Sequence, residues 1–310
     1  MTAAASAHAS IVSDGPAAGC RALEIRVSSG LDIRLLPDRG LDIGEAWFRG
    51  TPLAWISAVG ETGPLPQPRG TDWNDAFGGG LVTTCGLRNV GAPSEGHGQH
   101  GTYSHLRARE VRVEHAGDEV VARARIVDAS AIGHRLEVER EVRTRVGAGH
   151  VTITDVTTNL GPDTEAVPLL YHVNLGPPLW VEGSQLRLNA RATHPRDSDA
   201  QPFADSWHVA PGLEPDAPER VFEHEVTPGA DGWCSATVAG AGLELDLRWD
   251  AATMPRMWQW VHPAYGVLGL EPANCSVLGV AHDRAEGRLP ELAPGEERRT
   301  RLQIRVRPSL

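Results

Sequence analysis

The chain has 310 residues, 41% of them hydrophobic, and carries 40 Asp and Glu against 29 Lys and Arg, a formal net charge of -11 at pH 7. All the basic residues are arginine, since no lysine occurs, which excludes Schiff-base and pyridoxal-phosphate chemistry and a phosphate-loop lysine. The acidic balance, with no basic run beyond Arg298-Arg299-Thr300-Arg301, argues against nucleic acid as a partner.

In chain order, residues 1–15 read as a disordered N-terminal segment and 16–310 as one β-sandwich domain without linker or repeat. The first ten residues lack a basic start and a continuous apolar core, and no stretch is apolar enough for a membrane helix. Four cysteines (Cys20, Cys85, Cys234, Cys275) lie far apart with no C-x-x-C, as free thiols of a reducing compartment do. The expectation is a soluble, cytoplasmic protein with no membrane partner. Apolar residues alternate at Leu23/Ile25/Val27 and Leu31/Ile33/Leu35, the period of strands with one packed and one wet face. Asp38-Arg39-Gly40-Leu41-Asp42 reads as a local ion pair shaping a turn. A long loop follows from Gly60 to Gly80, carrying Pro64, Pro66, Pro68 and Trp73. Alternation returns at Val111/Val113, Leu136/Val138 and Val151/Ile153, and the apolar run Val167–Leu175 stops at Pro177-Pro178. A second long loop, rich in Pro and Asp, runs from His194 to Pro218. Loops of this length serve either as lids and rims or as plain surface excursions. Leu243/Leu245/Leu247, Met257–His262, Val267–Leu270 and Leu302/Ile304/Val306 complete the strands. No apolar pattern of helical period lasts three turns, and 34 Gly with 23 Pro punctuate the chain, so the expected fold is all-β, a large antiparallel sandwich.

Two proton-handling residues stand in apolar strand-like runs: His172 in Val167–Leu175 and Glu271 in Val267–Pro272. A buried carboxyl with a raised pKa and an imidazole near neutrality suit general base and acid work, although either residue alone also serves as hydrogen-bonded structure. His172 and Asn174 share a strand face, a donor and acceptor pair that suits a polyol. Trp258, Trp260 and His262 likewise share a face, where indoles either stack on a sugar or fill the core. Arg88 and Asn89, set between glycines, form a grip for vicinal hydroxyls or a carboxylate. The 13 histidines show no H-x-H, H-E-x-x-H or facial-triad spacing, so no metal is expected unless the fold gathers His100, His172, His262 and Glu271.

Three segments, Gly98-Gln99-His100-Gly101, Tyr171-His172-Val173-Asn174-Leu175-Gly176 and Leu268-Gly269-Leu270-Glu271-Pro272-Ala273-Asn274, resemble in content and order the aldose 1-epimerase (galactose mutarotase-like) superfamily. The resemblance, from about Asp38 to Asn274, implies a single β supersandwich whose open concave face holds a sugar or sugar acid. It implies His172 as general acid, Glu271 as general base and His100 as a sugar-positioning residue, with Arg88 matching a family arginine. Here His172 lies two residues before the asparagine rather than the family's four, a change that keeps the strand face. The expected sugar-binding set is His100, Arg88, Asn89, Asn174, Trp260, His262 and Asn274. The implied activity is an isomerase interconverting sugar anomers by ring opening, without metal or cofactor. The alternatives are a non-catalytic carbohydrate-binding protein and a metal-assisted epimerase or lyase acting on an oxidised sugar.

Overall fold

The computed structural model describes residues 4–309. Its ladders are antiparallel throughout the named strands. Helix among the described residues amounts to one short α-helix, Val280–Ala285, and four 3-10 turns. No described helix is long and apolar enough to cross a membrane.

Three large sheets make the architecture, with a two-stranded pair, Glu165–Ala166 and Glu291–Leu292, beside them. The first takes five strands in chain order from Ala5–Ile11 to Thr51–Pro52. The second has eight strands, with Glu297–Pro308, His150–Asn159 and Arg135–Arg145 at its middle. Its alternation is clean: along Arg135–Arg145 the even-numbered positions are buried, while outward Arg and Glu meet across strands, as Arg123 meets Glu141. The third has six strands in the order Ala190–Pro195, Arg220–Val226, Arg256–His262, Val267–Ala273, Leu169–Leu175 and Thr83–Gly86.

Residues 5–11 correct the expectation of disorder over 1–15, of which 1–3 lie outside the described residues. Ala5–Ile11 forms an edge strand in seven-residue register with Arg21–Val27. Its small alternating side chains supply little apolar area, so it is the backbone ladder that holds it. Periodicity cannot reveal such a strand.

In the six-stranded sheet two adjacent inner strands, Leu169–Leu175 and Val267–Ala273, are buried at every position, because both faces are covered. Tyr171, Val173, Leu175, Leu268 and Leu270 enter the large apolar core that spans residues from Leu23 to Val306. The opposite face carries Leu170, Trp258, Val221 and Ala273 in a second apolar cluster, closed by Trp73 and Phe77 from the 60–80 loop. His172 and Glu271 belong to this second face by alternation.

A buried polar network ties the three sheets together. Arg140, with no exposed side-chain surface, donates Nη1 to Asp42 (2.7 Å), Nη2 to Asp155 (2.7 Å) and Nη2 to the Thr84 hydroxyl (2.9 Å). The Tyr171 hydroxyl donates to Asp155 at 2.7 Å, so the residue next to His172 is pinned from the core side. The segment from Asp38 to Asp42 is structural, as expected, yet its partners are distant ones. Asp38 pairs with Arg21 and Arg107, while Arg39 reaches Thr62, Gly63 and Ala76 and so fastens the 60–80 loop.

Replacing Arg140 by leucine leaves two carboxylates buried without their cation. Arg140→Leu is expected to lower unfolding free energy by about 3–5 kcal/mol in urea titrations, against about 1 kcal/mol or less for breaking the surface Arg123–Glu141 pair. Equal costs for the two would show that the network does not hold the sheets.

Candidate active site

The register of the central ladder brings the proton-handling residues together. Leu170 pairs with Ala273 and Asn174 with Gly269, so His172 stands directly opposite Glu271. The His172 Nε2 lies 3.1 Å from the Glu271 Oε1, and both side chains are about nineteen-twentieths buried. Gly269 makes room for the pair. A Cβ there would stand 2.9 Å from both the Glu271 Oε1 and the His172 Cε1, closer than such contacts are found.

Burial sets the charge state. It pushes the Glu271 carboxyl up from 4.5 to about 8, with the negative charge of Glu219 adding to the rise. It pushes His172 down from 6.5 to about 3, with His100 adding to the fall. Near neutral pH the pair is therefore uncharged and holds one proton to exchange between carboxyl and imidazole. The His172 Nδ1 is buried without a partner, among the rings of Phe77 (5.3 Å between centroids), Trp260 (5.4 Å) and His100 (6.0 Å).

Around the pair opens a cavity of about 390 Å³, in the range of small-molecule sites. The 60–80 loop supplies Trp73 and Phe77, stacked at 4.1 Å, and Asn74. His100 leans on Trp73 at 4.4 Å, held neutral by burial with its pKa down to about 4. Its backbone is held at φ 56°, its N–H donating to Gly91 and its carbonyl accepting from Gly86. Arg196 and Glu219 form the outer wall, 2.7 Å apart, and the Trp260 indole N–H donates to Glu219 at 2.8 Å.

Of the residues expected at a site, the structure gathers His172, Glu271, His100 and Trp260 around this cavity. The other five do not line it. Arg88 contacts His134 (2.7 Å) and Glu165 (3.7 Å). Asn89 is wholly buried and binds Ala92, Gly98 and Val280 backbone. Asn174 donates to the Gly80 and His172 carbonyls, and Asn274 bridges Leu169 and Val167. His262 packs against Tyr265 at 4.5 Å. Asn89 and Asn274 spend both polar atoms, and Asn174 its Nδ2, on neighbouring backbone, a use that a sequence cannot distinguish from ligand binding. The metal alternative loses its fourth donor with His262, and among the described residues no three His, Cys, Asp or Glu are grouped to hold an ion.

Trp73, Phe77, Gln99, Arg196 and Glu219 line the cavity without having been singled out for it. Arg196 and Glu219 bracket the 194–218 loop at its base, where the Arg196 N–H donates to the Val221 carbonyl. Charged residues at the neck of a long excursion were the available signal. The 60–80 loop proves to be a cavity rim, while the 194–218 loop reaches the cavity only through Arg196 at its base.

This is the galactose mutarotase-like fold, the class expected from the sequence. A protein of Klebsiella pneumoniae subsp. pneumoniae MGH 78578, provisionally named an aldose 1-epimerase, superposes with a TM-score of 0.91 over 97% of this chain and 83% of its own, at 23% identity. A galactose mutarotase-like protein of Clostridium acetobutylicum gives 0.65 at 11% identity, over 98% of each chain. The galactose 1-epimerase of Lactobacillus acidophilus NCFM gives 0.61 at 9% identity, over 98% of this chain and 99% of its own. At these identities the likeness establishes the fold. The chain belongs to the family described as domain of unknown function DUF4432, matched over residues 17–306. No curated protein matches the sequence.

The raised Glu271 pKa has a thermodynamic signature. Between pH 4.5 and about 8 the folded chain holds a proton that the unfolded chain releases, so this contribution, full below pH 4.5, is lost as pH rises through 8. His172 acts oppositely: its contribution is lost as pH falls from 6.5 through about 3. Glu271→Gln removes the first effect alone. The stability of the parent relative to this variant should therefore decline from about pH 5 to about pH 8 in urea titrations, and a constant difference would mean that Glu271 ionises as an ordinary carboxyl.

Proposed function

We propose that this chain is an aldose 1-epimerase-like isomerase that interconverts sugar anomers by acid–base ring opening. The observation that carries the reading is the buried His172–Glu271 pair, opposed across one ladder on the floor of a cavity sized for a monosaccharide. Trp73, Phe77 and Trp260 offer flat apolar area for the C–H faces of a pyranose. Ring opening asks for two proton transfers at two oxygens on one carbon, and two groups 3.1 Å apart reach both.

Before sugar binds, the raised carboxyl and the lowered imidazole pKa keep the shared proton on Glu271. Sugar hydroxyls bring hydrogen bonds that stabilise charge there, so the proton passes to His172 and leaves a carboxylate beside an imidazolium. Glu271 then takes the proton of the anomeric hydroxyl. The C1–O5 bond breaks as His172 protonates O5, giving an open-chain aldehyde with the pair uncharged again. Rotation about C1–C2 presents the other carbonyl face. O5 re-attacks, returning its proton to His172, and O1 recovers the proton from Glu271. Each step conserves protons, and proton transfer alone accounts for the barrier lowering. His100 stands at hydroxyl range beside the pair as a positioning group rather than a proton carrier.

Anomer exchange, followed by NMR on anomerically enriched aldoses above the spontaneous rate, tests the proposal. Glu271→Gln and His172→Asn should each lower kcat by roughly 10²–10⁴-fold. The parent rate should hold through neutral pH and fall above about pH 8, as the pair loses its single proton. Full exchange in both variants would remove the mechanism. Saturable sugar binding with no exchange in the parent would leave a carbohydrate-binding protein instead.

A further inference from the structure

The cavity has two unlike ends. On the side of the Ala190–Pro195 and Arg220–Val226 edge its wall is Arg196 with Glu219. Elsewhere, loops leaving Thr83–Gly86 and Val267–Ala273 close it with Ala92, Pro93, Val277 and Leu278. None of these four side chains carries a polar atom. Two of the main-chain oxygens beneath them are also engaged: Val277 O accepts from Ala92 N at 3.1 Å, and Ala92 O from the Asn89 amide at 3.0 Å.

The apolar wall is built and held. Asn89 clamps both loops from beneath, its Nδ2 reaching Ala92 and Gly98 and its Oδ1 accepting from Val280 N at 3.1 Å. Gly91 approaches Val277 so closely that a Cβ would overlap its carbonyl oxygen at 1.9 Å. On this fixed wall Leu278 keeps 41% of its surface exposed. A hydroxymethyl group placed against these four side chains would find no hydrogen-bond partner among them, whereas a methyl group would gain contact. The charged end offers no free clamp for an acid group, since Arg196 is already bound by Asp197 and Glu219. Its remaining lone pairs and N–H groups suit hydroxyls.

We infer that the substrate is a 6-deoxy aldose, its methyl group against Leu278 and Val277 and its hydroxyl-bearing edge toward Arg196 and Glu219. This rests on the reading of the cavity as a sugar site, and it is tested by comparing sugars that differ at that position alone. Dissociation constants from quenching of tryptophan fluorescence, and anomer exchange by NMR, are measured for 6-deoxygalactose against galactose and for 6-deoxymannose against mannose. The deoxy sugar of at least one pair should bind about tenfold more tightly than its parent, and Leu278→Asn should bring the ratio near one. A parent sugar bound as tightly as its deoxy partner in both pairs overturns the inference, and exchange of those sugars would still support the isomerase. A deoxy preference in binding without exchange keeps the inference and overturns the isomerase. Absence of saturable binding by all four sugars overturns both.

Discussion

Arg140 lies where the three sheets meet, and its hydrogen bonds to Asp42, Asp155 and Thr84 reach one residue in each. The Tyr171 hydroxyl joins the same cluster, so the strand that carries His172 is fixed in depth and rotation from its core side. A charged group this deep is stable only when its partners are complete. The fold therefore has little freedom in how the six-stranded sheet seats on its neighbours, and the cavity floor on the other face inherits that rigidity.

On that floor the requirements of folding and chemistry conflict. A central strand buried on both faces wants apolar residues, and Leu169–Leu175 and Val267–Ala273 supply them except at the positions that turn toward the cavity or its rim. Placing a carboxyl and an imidazole side by side there costs solvation of both charged forms, which is why one rises and the other falls in pKa. The compensation is local: each partner answers the other, and Gly269 leaves the space in which they meet. Aromatic rings from a long loop complete the enclosure, tied down through Arg39.

What could be read in advance was whatever is local in the chain. Period-two alternation revealed strands such as Leu302/Ile304/Val306, and two polar residues inside apolar runs revealed the pair. That the two runs are ladder neighbours, in a register that opposes 172 to 271, depends on pairing across about a hundred residues and has no local mark. The same limit hid Arg196 and Glu219, which belong to the cavity only because two strands meet in a hairpin at the neck of a loop. Asn89, Asn174 and Asn274 mislead for a different reason. A side-chain amide that bonds to a loop and one that bonds to a sugar present the same letter. The edge strand Ala5–Ile11 escaped notice because its pairing is a property of backbone, to which composition is nearly blind.

The separation of His172 and Glu271 is a consequence of strand spacing. Neighbouring strands lie about 4.7–4.9 Å apart, and residues opposed on one face are held at that pitch whether or not a ligand is present. Where a lid or loop closes to complete a site, its groups must be brought together again at every turnover. Here His172 and Glu271 are held on neighbouring strands of one ladder, with no lid or loop closure needed to bring them together. Warming the protein would then leave the geometry of the pair intact until the sheet itself melts, and whatever chemistry the pair performs would be lost together with the fold.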